Sequence, residues 1–132
     1  MKKENQQKLL KKYSKIFAQY DLPPSQTAMC WGLECGDGWC ALIDALCENI
    51  QKYIDNSDVE QIVATQVKQK FGALRFYYRP FEKEIDKLIW QAANKSMKTC
   101  EHCGATKGVK ITITGWRTPL CRKCFKKSME KK

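Results

Sequence analysis

The stretch Cys100-Glu101-His102-Cys103, followed after 17 intervening residues by Cys121-Arg122-Lys123-Cys124, decides the fold of the last third of this chain. Two C-x-x-C pairs at this separation fall in the range typical of four-cysteine zinc sites. Each pair can turn tightly enough to aim two sulfurs at one ion, and Gly104 supplies permissive backbone directly after the first pair. The spacing predicts one metal centre, with the ligands Cys100, Cys103, Cys121 and Cys124.

The ligand set also indicates which metal binds and what it does. A tetrahedral four-thiolate site suits zinc, although the spacing alone leaves an iron centre with the same ligands open. Four thiolates close the coordination shell, whereas a catalytic zinc keeps one position for water. His102, the single histidine, lies between two cysteines that are already spaced as ligands. We therefore predict one structural Zn²⁺ held by four cysteines, with a site of three cysteines and His102 as the less favoured alternative.

The other four cysteines are Cys30, Cys35, Cys40 and Cys47. Cys40 and Cys47 lie seven residues apart on a predicted helix, about 10.5 Å along its axis, which is too far for two ligands of one ion. A second four-thiolate site is not expected, because a free buried cysteine usually behaves as a small apolar residue. The N-terminal segment lacks the apolar stretch of a secretory signal, and no apolar run is long enough to span a membrane. These features predict a cytoplasmic protein with reduced thiols and no membrane partner.

The chain has 132 residues, of which 43% are hydrophobic and 29% are charged. This length allows one ordinary domain with a small metal-held appendage, and it is too short for two independent cores. We predict an α+β fold in which residues 1–98 form a small helical domain with a β-hairpin. Residues 99–132 are predicted to form a four-cysteine zinc-finger module.

Hydrophobic periodicity predicts the elements of the first half. Apolar residues recur at helical spacing over residues 5–20, and Pro23-Pro24 ends that helix. Residues 28–35 suggest a short buried strand. Asp37 is placed to cap a second helix, whose buried face begins at Trp39 and continues to about residue 54.

The second half begins with an alternating pattern. Val63, Thr65, Val67 and Phe71 are predicted to share one face of a strand, and after a turn at Gly72 a second strand places Leu74, Phe76 and Tyr78 on that face. Pro80 fits the first turn of a third helix, whose apolar face begins at Phe81 and reaches Met97. Apolar and polar residues alternate over residues 109–114, which predicts a small hairpin, and residues 121–130 are predicted to form a basic helix. This arrangement resembles a treble clef, with a plain zinc ribbon as the alternative.

The charge pattern argues for an anionic partner and against catalysis. The net charge of +10 argues against a mimic of DNA and favours anionic partners or simple solubility, although residues 31–60 hold seven acidic and one basic side chain. Glu34 and Asp37 have no accompanying nucleophile and base. A magnesium-dependent nuclease would need Glu34, Asp37, Asp44 and Glu48 to converge. We predict that the protein is not an enzyme and takes no small-molecule substrate.

Basic and aromatic residues give the better functional prediction. If Leu74, Phe76 and Tyr78 face the core, the other face of the hairpin can hold a phosphate backbone and stack a base. The zinc-finger module adds further cations without a matching acidic cluster. Nothing in the sequence indicates that base sequence is read. The predicted partner-binding residues are Lys68, Lys70, Arg75, Tyr77, Arg79, Lys110, Arg117, Arg122, Lys123, Lys126 and Lys127.

A broader resemblance is carried by Glu34-Cys35-Gly36-Asp37-Gly38-Trp39, by Gln66-Val67-Lys68-Gln69-Lys70-Phe71-Gly72 and by Leu74-Arg75-Phe76-Tyr77. Together with the cysteine pairs, these motifs resemble a family of small, largely uncharacterised zinc-finger proteins encoded by bacteriophages and prophages. The resemblance spans about residues 30 to 124. It departs from the pattern where Ala73 follows Gly72 in place of a second glycine, which leaves the turn type open. The resemblance implies no activity, but it does imply a phage context.

Two functions are therefore predicted. The first is a non-enzymatic zinc-binding protein that binds nucleic acid through its basic surface. The second is a phage factor that binds a host protein or ribonucleoprotein complex, such as a defence system, and inhibits or modulates it. If the protein is phage-encoded, the host cytoplasm is its expected location.

Overall fold

The computed structural model describes residues 1–113 and 115–130, and within them it has four helices and two small sheets. The predicted α+β class is confirmed. The elements are α1 (Lys3–Lys12), β1 (Leu33–Glu34), α2 (Cys40–Asp55), β2 (Val63–Lys70), β3 (Ala73–Arg79), α3 (Lys83–Ser96), β4 (Lys110–Ile111), β5 (Pro119–Leu120) and α4 (Arg122–Glu130).

The first sheet has the order β1-β2-β3, with β1 parallel and β3 antiparallel to β2. One face of this sheet packs against α2 and α3. Trp39, Ile43, Ile50, Leu74 and Ile85 are fully buried there, as the apolar periodicity predicted. The other face of the sheet carries the basic residues of the hairpin. No helix in the described part of the chain is both long and apolar enough to cross a membrane.

The first helix is shorter than predicted. It ends at Lys12 instead of residue 20, although Tyr13, Ile16 and Phe17 are buried as expected. The backbone carbonyl of Ile16 accepts a hydrogen bond of 2.7 Å from the amide of Ala64, at the start of β2. This tertiary bond replaces a helical one, because the chain turns to meet the sheet.

Two expectations for residues 28–39 were wrong. Met29–Trp31 forms a short 3₁₀ turn, and only Leu33–Glu34 is a strand. Asp37 does not cap α2. Its carboxylate accepts hydrogen bonds from the amide of Lys2 and the side chain of Asn5, at 2.7 and 3.1 Å, and so caps the start of α1. The hydrogen bond from Lys2 lowers the pKa of Asp37.

The hairpin is confirmed, with one irregularity. A bulge between Ala64 and Gln66 shifts the pairing of β2 with β3, so Ile62 and Ala64 face the core before it and Val67 after it. Val63 and Thr65 are only half-buried, contrary to the prediction that they share a face with Val67.

The hairpin turn is Phe71-Gly72. Both residues have positive φ, 55° and 83°, as a type I′ turn requires. Ala73 already belongs to β3, so the missing second glycine does not affect the turn. Phe71 does not share the buried face of β2, because it sits in the turn and is exposed.

The third helix begins later than predicted. The Glu82 carboxylate caps this helix by accepting hydrogen bonds from the amides of Glu84 and Ile85, at 2.8 and 3.0 Å. This cap fixes the start of the helix at Lys83. Pro80 therefore lies before the helix, and Phe81 is exposed instead of packing in the core. Ile85, Ile89 and Ala92 are buried as predicted.

The zinc-finger module has a small hairpin, whose two strands have two residues each, followed by a helix. Lys110 pairs with Leu120 and Ile111 with Pro119, and α4 begins directly after Cys121. The strand stops before Ile113, which is exposed in the loop between β4 and β5. Thr114 of the predicted alternation lies outside the described residues. Because the last two cysteines lie at the start of a helix, the order of elements is that of the treble clef.

Candidate metal centre and adjoining basic surface

The thiols of Cys100, Cys103, Cys121 and Cys124 converge on one point. All four sulfurs lie within 4.8 Å of one another, and no other such group of potential ligands occurs in the described residues. The Sγ atoms of Cys103 and Cys121 are 3.7 Å apart. A tetrahedral site with Zn–S bonds of about 2.3 Å has sulfurs about 3.8 Å apart, whereas a disulfide needs about 2.05 Å. The four cysteines therefore fit a bound metal ion.

Backbone hydrogen bonds shape both halves of the site. In the first half, the amide of Gly104 donates to the carbonyl of Cys100, and the amide of Cys100 donates to the carbonyl of Ala105, both at 2.8 Å. Gly104 has a φ of 84°, which a glycine adopts without strain. In the second half, the amide of Cys124 points at the sulfur of Cys121 at 3.5 Å, in the first turn of α4. Amides at a helix start stabilise negative charge on such a sulfur.

The electrostatics of the site call for a cation. Burial disfavours the thiolate of Cys100, but hydrogen bonds from the backbone amides of Cys121, Cys103 and His102 outweigh it and lower the pKa of Cys100 to about 7. Burial and the neighbouring thiols raise the pKa of Cys124. Without a cation the cluster cannot ionise fully, and a metal ion supplies the missing positive charge. His102 is exposed and is not part of the cluster.

The remaining cysteines have the surroundings of packing residues. Burial raises the pKa of Cys35 to about 12, with a contribution from Glu101, and burial also raises the pKa values of Cys40 and Cys47. Cys30 is half-buried and donates to the carbonyl of Thr27 at 3.3 Å. The thiols of Cys35, Cys40 and Cys47 therefore resist ionisation, which is unfavourable for binding a metal.

The Gly36-Asp37-Gly38-Trp39 stretch forms a seat for the first cysteine pair. The Gly38 amide donates to the carbonyl of Glu101 at 2.7 Å, and the Gly36 amide donates to the Glu101 carboxylate at 2.8 Å. The indole N–H of Trp39 donates to the carbonyl of Thr99 at 2.9 Å. The sequence pattern predicts a turn and a helix cap, but in the structure its glycines allow the backbone of residues 36–38 to approach the backbone of Cys100 and Glu101 closely.

Gly38→Ala tests this close approach. A Cβ on Gly38 would lie 2.1 Å from the carbonyl oxygen of Cys100, a backbone atom that no side-chain rotation can move. We expect the free energy of unfolding to fall by about 3 kcal/mol, the upper end of typical overpacking costs. Gly108→Ala is the control, since its Cβ would meet nothing within 4 Å and its φ of 64° costs only about 1 kcal/mol. Urea unfolding of both zinc-loaded variants measures the difference, and equal costs would contradict a tight seat.

Gln69 joins the hairpin to the zinc-finger module. It is buried, and its amide nitrogen donates to the carbonyl of Arg117 at 2.7 Å and to the carboxylate of Glu101 at 3.1 Å. Its amide oxygen accepts the N–H of Gly72 at 3.1 Å. The end of the hairpin and the loop between β4 and β5 are therefore in direct contact.

The hairpin residues predicted to bind a partner lie on one face of the sheet. Lys68 pairs with Arg75 and Gln66 with Tyr77 across the two strands. A depression of about 460 Å³ is lined by Lys68, Tyr77 and Arg79 together with neutral residues such as Gln19, Gln26 and Thr27. Glu34 also lies on this side, next to Lys68 in the register of β1, and its carboxylate accepts from Gln66 at 3.5 Å. The face is thus basic except at its β1 edge.

The cations of the zinc-finger module that were predicted to bind a partner are all exposed. They are Lys110 on β4, Arg117 in the loop before β5, and four residues of α4, Arg122, Lys123, Lys126 and Lys127. The two salt bridges found among the described residues, Lys12 with Asp44 and Lys87 with Glu84, involve none of these or of the hairpin cations. The basic side chains thus have no acidic partner within 4 Å in the described part of the chain.

Sequence reasoning missed three exposed apolar side chains beside these cations. Phe71, Ile113 and Trp116 are 65%, 90% and 76% exposed. The available signal was an aromatic residue adjacent to a cation, in Lys70-Phe71 and again in Trp116-Arg117.

Comparisons of the chain with protein-family models, curated proteins and solved structures give no match. The resemblance to a phage family therefore stays a prediction.

Proposed function

We propose that this protein holds one structural Zn²⁺ and binds nucleic acid through its basic surface, without catalysing a reaction. The basic surface comprises the hairpin residues Lys68, Lys70, Arg75, Tyr77 and Arg79 together with Lys110, Arg117, Arg122, Lys123, Lys126 and Lys127 of the zinc-finger module. A structural role for the metal follows from its four thiolate donors, because a closed shell leaves no position for water or substrate.

One observation carries the nucleic-acid proposal. Lys68 and Arg75 face each other across the hairpin, and neither forms a salt bridge among the described residues. Like charges directly opposite destabilise a sheet. Folding alone does not favour such a pair, whereas a phosphate backbone lying over both cations removes the repulsion and releases counterions.

The contact between the hairpin and the zinc-finger module extends this surface. Gln69 is followed by Lys70, and it binds the backbone of Arg117. This contact supports a surface on which cations of the hairpin and of the module together give an anionic polymer a longer binding path than either part offers alone. A continuous basic stripe of this kind is the electrostatic footprint of a nucleic-acid-binding protein.

A catalytic role is not proposed, because the carboxylates that a magnesium-dependent nuclease would need are engaged elsewhere. Asp37 caps α1, and Asp44 accepts hydrogen bonds from the hydroxyl of Tyr13 and the ammonium of Lys12. Glu34 lies at the sheet edge beside Gln66. Glu48 is exposed on α2, and these four carboxylates form no group of possible metal ligands among the described residues.

Reversing two hairpin charges tests the proposal. In Arg75→Glu/Arg79→Glu, we expect weaker binding to nucleic acids of any sequence and a log–log salt slope that is shallower by about 2, since about one counterion is released for each phosphate contact. Fluorescence anisotropy over a series of salt concentrations measures both.

The matched control is Lys83→Glu/Lys87→Glu, which changes the net charge equally on exposed positions of α3, behind the other face of the sheet. We expect this control to lower affinity only slightly. Equal losses in the two double variants would mean that net charge, and not the basic surface, governs binding.

The alternative function is a phage-type factor that binds a host protein complex and modulates it. It is favoured by large exposed apolar side chains that are not part of the basic surface, namely Trp31, Phe81 and Trp90. Tryptophan is enriched among the residues that dominate protein interfaces. Affinity purification from host cells with and without nuclease separates the two functions: a partner lost on nuclease treatment supports nucleic-acid binding, and a nuclease-resistant, salt-tolerant complex that Trp90→Ala removes supports the alternative.

A further inference from the structure

The turn of the hairpin and the loop between β4 and β5 lie against each other. A Cβ on Gly72 would be 2.9 Å from a methyl group of Ile111, and Gln69 binds the carbonyl of Arg117. The exposed side chains at this contact combine apolar and cationic groups. We name them the junction patch, and they are Lys70, Phe71, Lys110, Ile113, Trp116 and Arg117.

The backbone beneath Trp116 is held firmly, although its side chain is exposed. The hydroxyl groups of Thr112 and Thr118 both donate to the Trp116 carbonyl at 3.1 Å, and the Thr118 amide donates to the Thr112 hydroxyl at 3.0 Å. A firmly held backbone lowers the entropic cost of binding through this indole.

Phe71 is placed where folding does not favour it. Its φ of 55° lies in the left-handed region, and in a type I′ turn this first position is normally Asn, Asp or Gly. The ring gains little from the fold, since it is 65% exposed. An aromatic residue that is both strained and exposed indicates a contact with a partner.

The cations around the two aromatic rings suggest the chemistry of that partner. The Lys70 ammonium lies 5.6 Å from the centre of the Phe71 ring, and Arg117 follows Trp116 directly. Aromatic faces beside cations are the features that bind single-stranded nucleic acid, because unpaired bases stack on the rings while phosphates meet the charges. Bases of a duplex are already stacked and cannot use the rings in this way.

We infer that the junction patch binds single-stranded nucleic acid, with unpaired bases stacked on Phe71 and Trp116 and the backbone neutralised by Lys70, Lys110 and Arg117. This inference rests on the proposed function and narrows it from nucleic acid in general to unpaired strands. The cations of the rest of the basic surface bind phosphates in single strands and duplexes alike.

The test compares oligonucleotides of about 15 thymidines, about 15 uridines and a DNA duplex of equal length, a size close to one single-strand site. Wild-type protein should bind the single strands more tightly than the duplex. Trp116→Ala should weaken single-strand binding about 5- to 150-fold and leave duplex binding unchanged. The thymidine and uridine probes separate DNA from RNA as the source of the strand.

Phe71→Asn distinguishes a binding role from a structural one. Asparagine is favoured at this turn position, so the variant should be at least as stable as the wild type and yet bind single strands more weakly. If Trp116→Ala and Phe71→Asn keep full single-strand affinity while Arg75→Glu/Arg79→Glu loses it, the junction patch is not the site and the proposed function stands. If wild-type protein binds no oligonucleotide, the proposed function fails as well. Loss of one purified protein complex in Phe71→Asn, with nucleic-acid affinity intact, would assign the patch to a protein partner.

Discussion

Cys121→Ser is expected to lose stoichiometric zinc and to unfold the zinc-finger module. The module buries few side chains besides its cysteines, with Val109 and Leu120 only half-buried against them. Zinc binding by such small modules contributes an apparent free energy of about 10–16 kcal/mol, comparable with the whole stability of an ordinary domain. Elemental analysis of the dialysed protein measures the metal, and circular dichroism follows the loss of α4.

Cys30→Ser is the matched control, since it exchanges the same atoms at a half-buried thiol outside the cluster. It should retain one zinc per chain. Full metal content in Cys121→Ser, or iron in place of zinc in the wild type, would overturn the assignment.

Metal removal should also reveal how the two predicted units of the chain depend on each other. Gly38 and Trp39 donate hydrogen bonds to the backbone carbonyls of Glu101 and Thr99, and Gly36 donates to the Glu101 carboxylate. We expect loss of zinc to lower the stability of residues 1–98 as well, because residues 36–39 then lose their hydrogen bonds to residues 99–101. Two independent unfolding transitions, with the first unaffected by a chelator, would support the division at residue 98 as a boundary between autonomous domains.

The cysteine cluster could be predicted from sequence because its chemistry is local. Two tight C-x-x-C turns leave few ways to place four sulfurs, and a bound metal ion stabilises the tetrahedral arrangement among them. The helical faces of α2 and α3 were predictable for a similar reason, since their buried residues recur every three or four positions: Ile43, Leu46 and Ile50 on α2, and Ile85, Ile89 and Ala92 on α3.

Features that depend on contacts between distant segments were not predictable in this way. Beyond the end of α1, the carbonyl of Ile16 accepts a hydrogen bond from the distant amide of Ala64, and Asp37 caps a helix that begins more than 30 residues earlier. The bulge in β2 reverses the pattern of Val63 and Thr65 because pairing with β3 overrides the local alternation. At the proposed binding surface, the strand pattern assigned Phe71 to the core, and only its position in the hairpin turn shows that it faces solvent.

Trp39→Ala is expected to be the most destabilising substitution outside the metal centre. The indole is fully buried in the main core, and removing it leaves a large cavity worth about 3–5 kcal/mol. The Thr99 carbonyl also loses the donor that lies 2.9 Å away, next to the first metal ligand. Chemical denaturation of the zinc-loaded protein measures the total decrease in the free energy of unfolding.

Two further variants separate the contributions of Trp39. Trp39→Phe keeps an aromatic ring in the core and removes the N–H, so it should cost about 1–3 kcal/mol, the usual penalty for a buried polar group left without a partner. Trp31→Ala changes an exposed tryptophan and should stay within about 0.5 kcal/mol of the wild type. If Trp39→Ala left the unfolding midpoint unchanged and abolished partner binding instead, Trp39 would be a contact residue. The first cysteine pair would then owe its position to Gly36 and Gly38 alone.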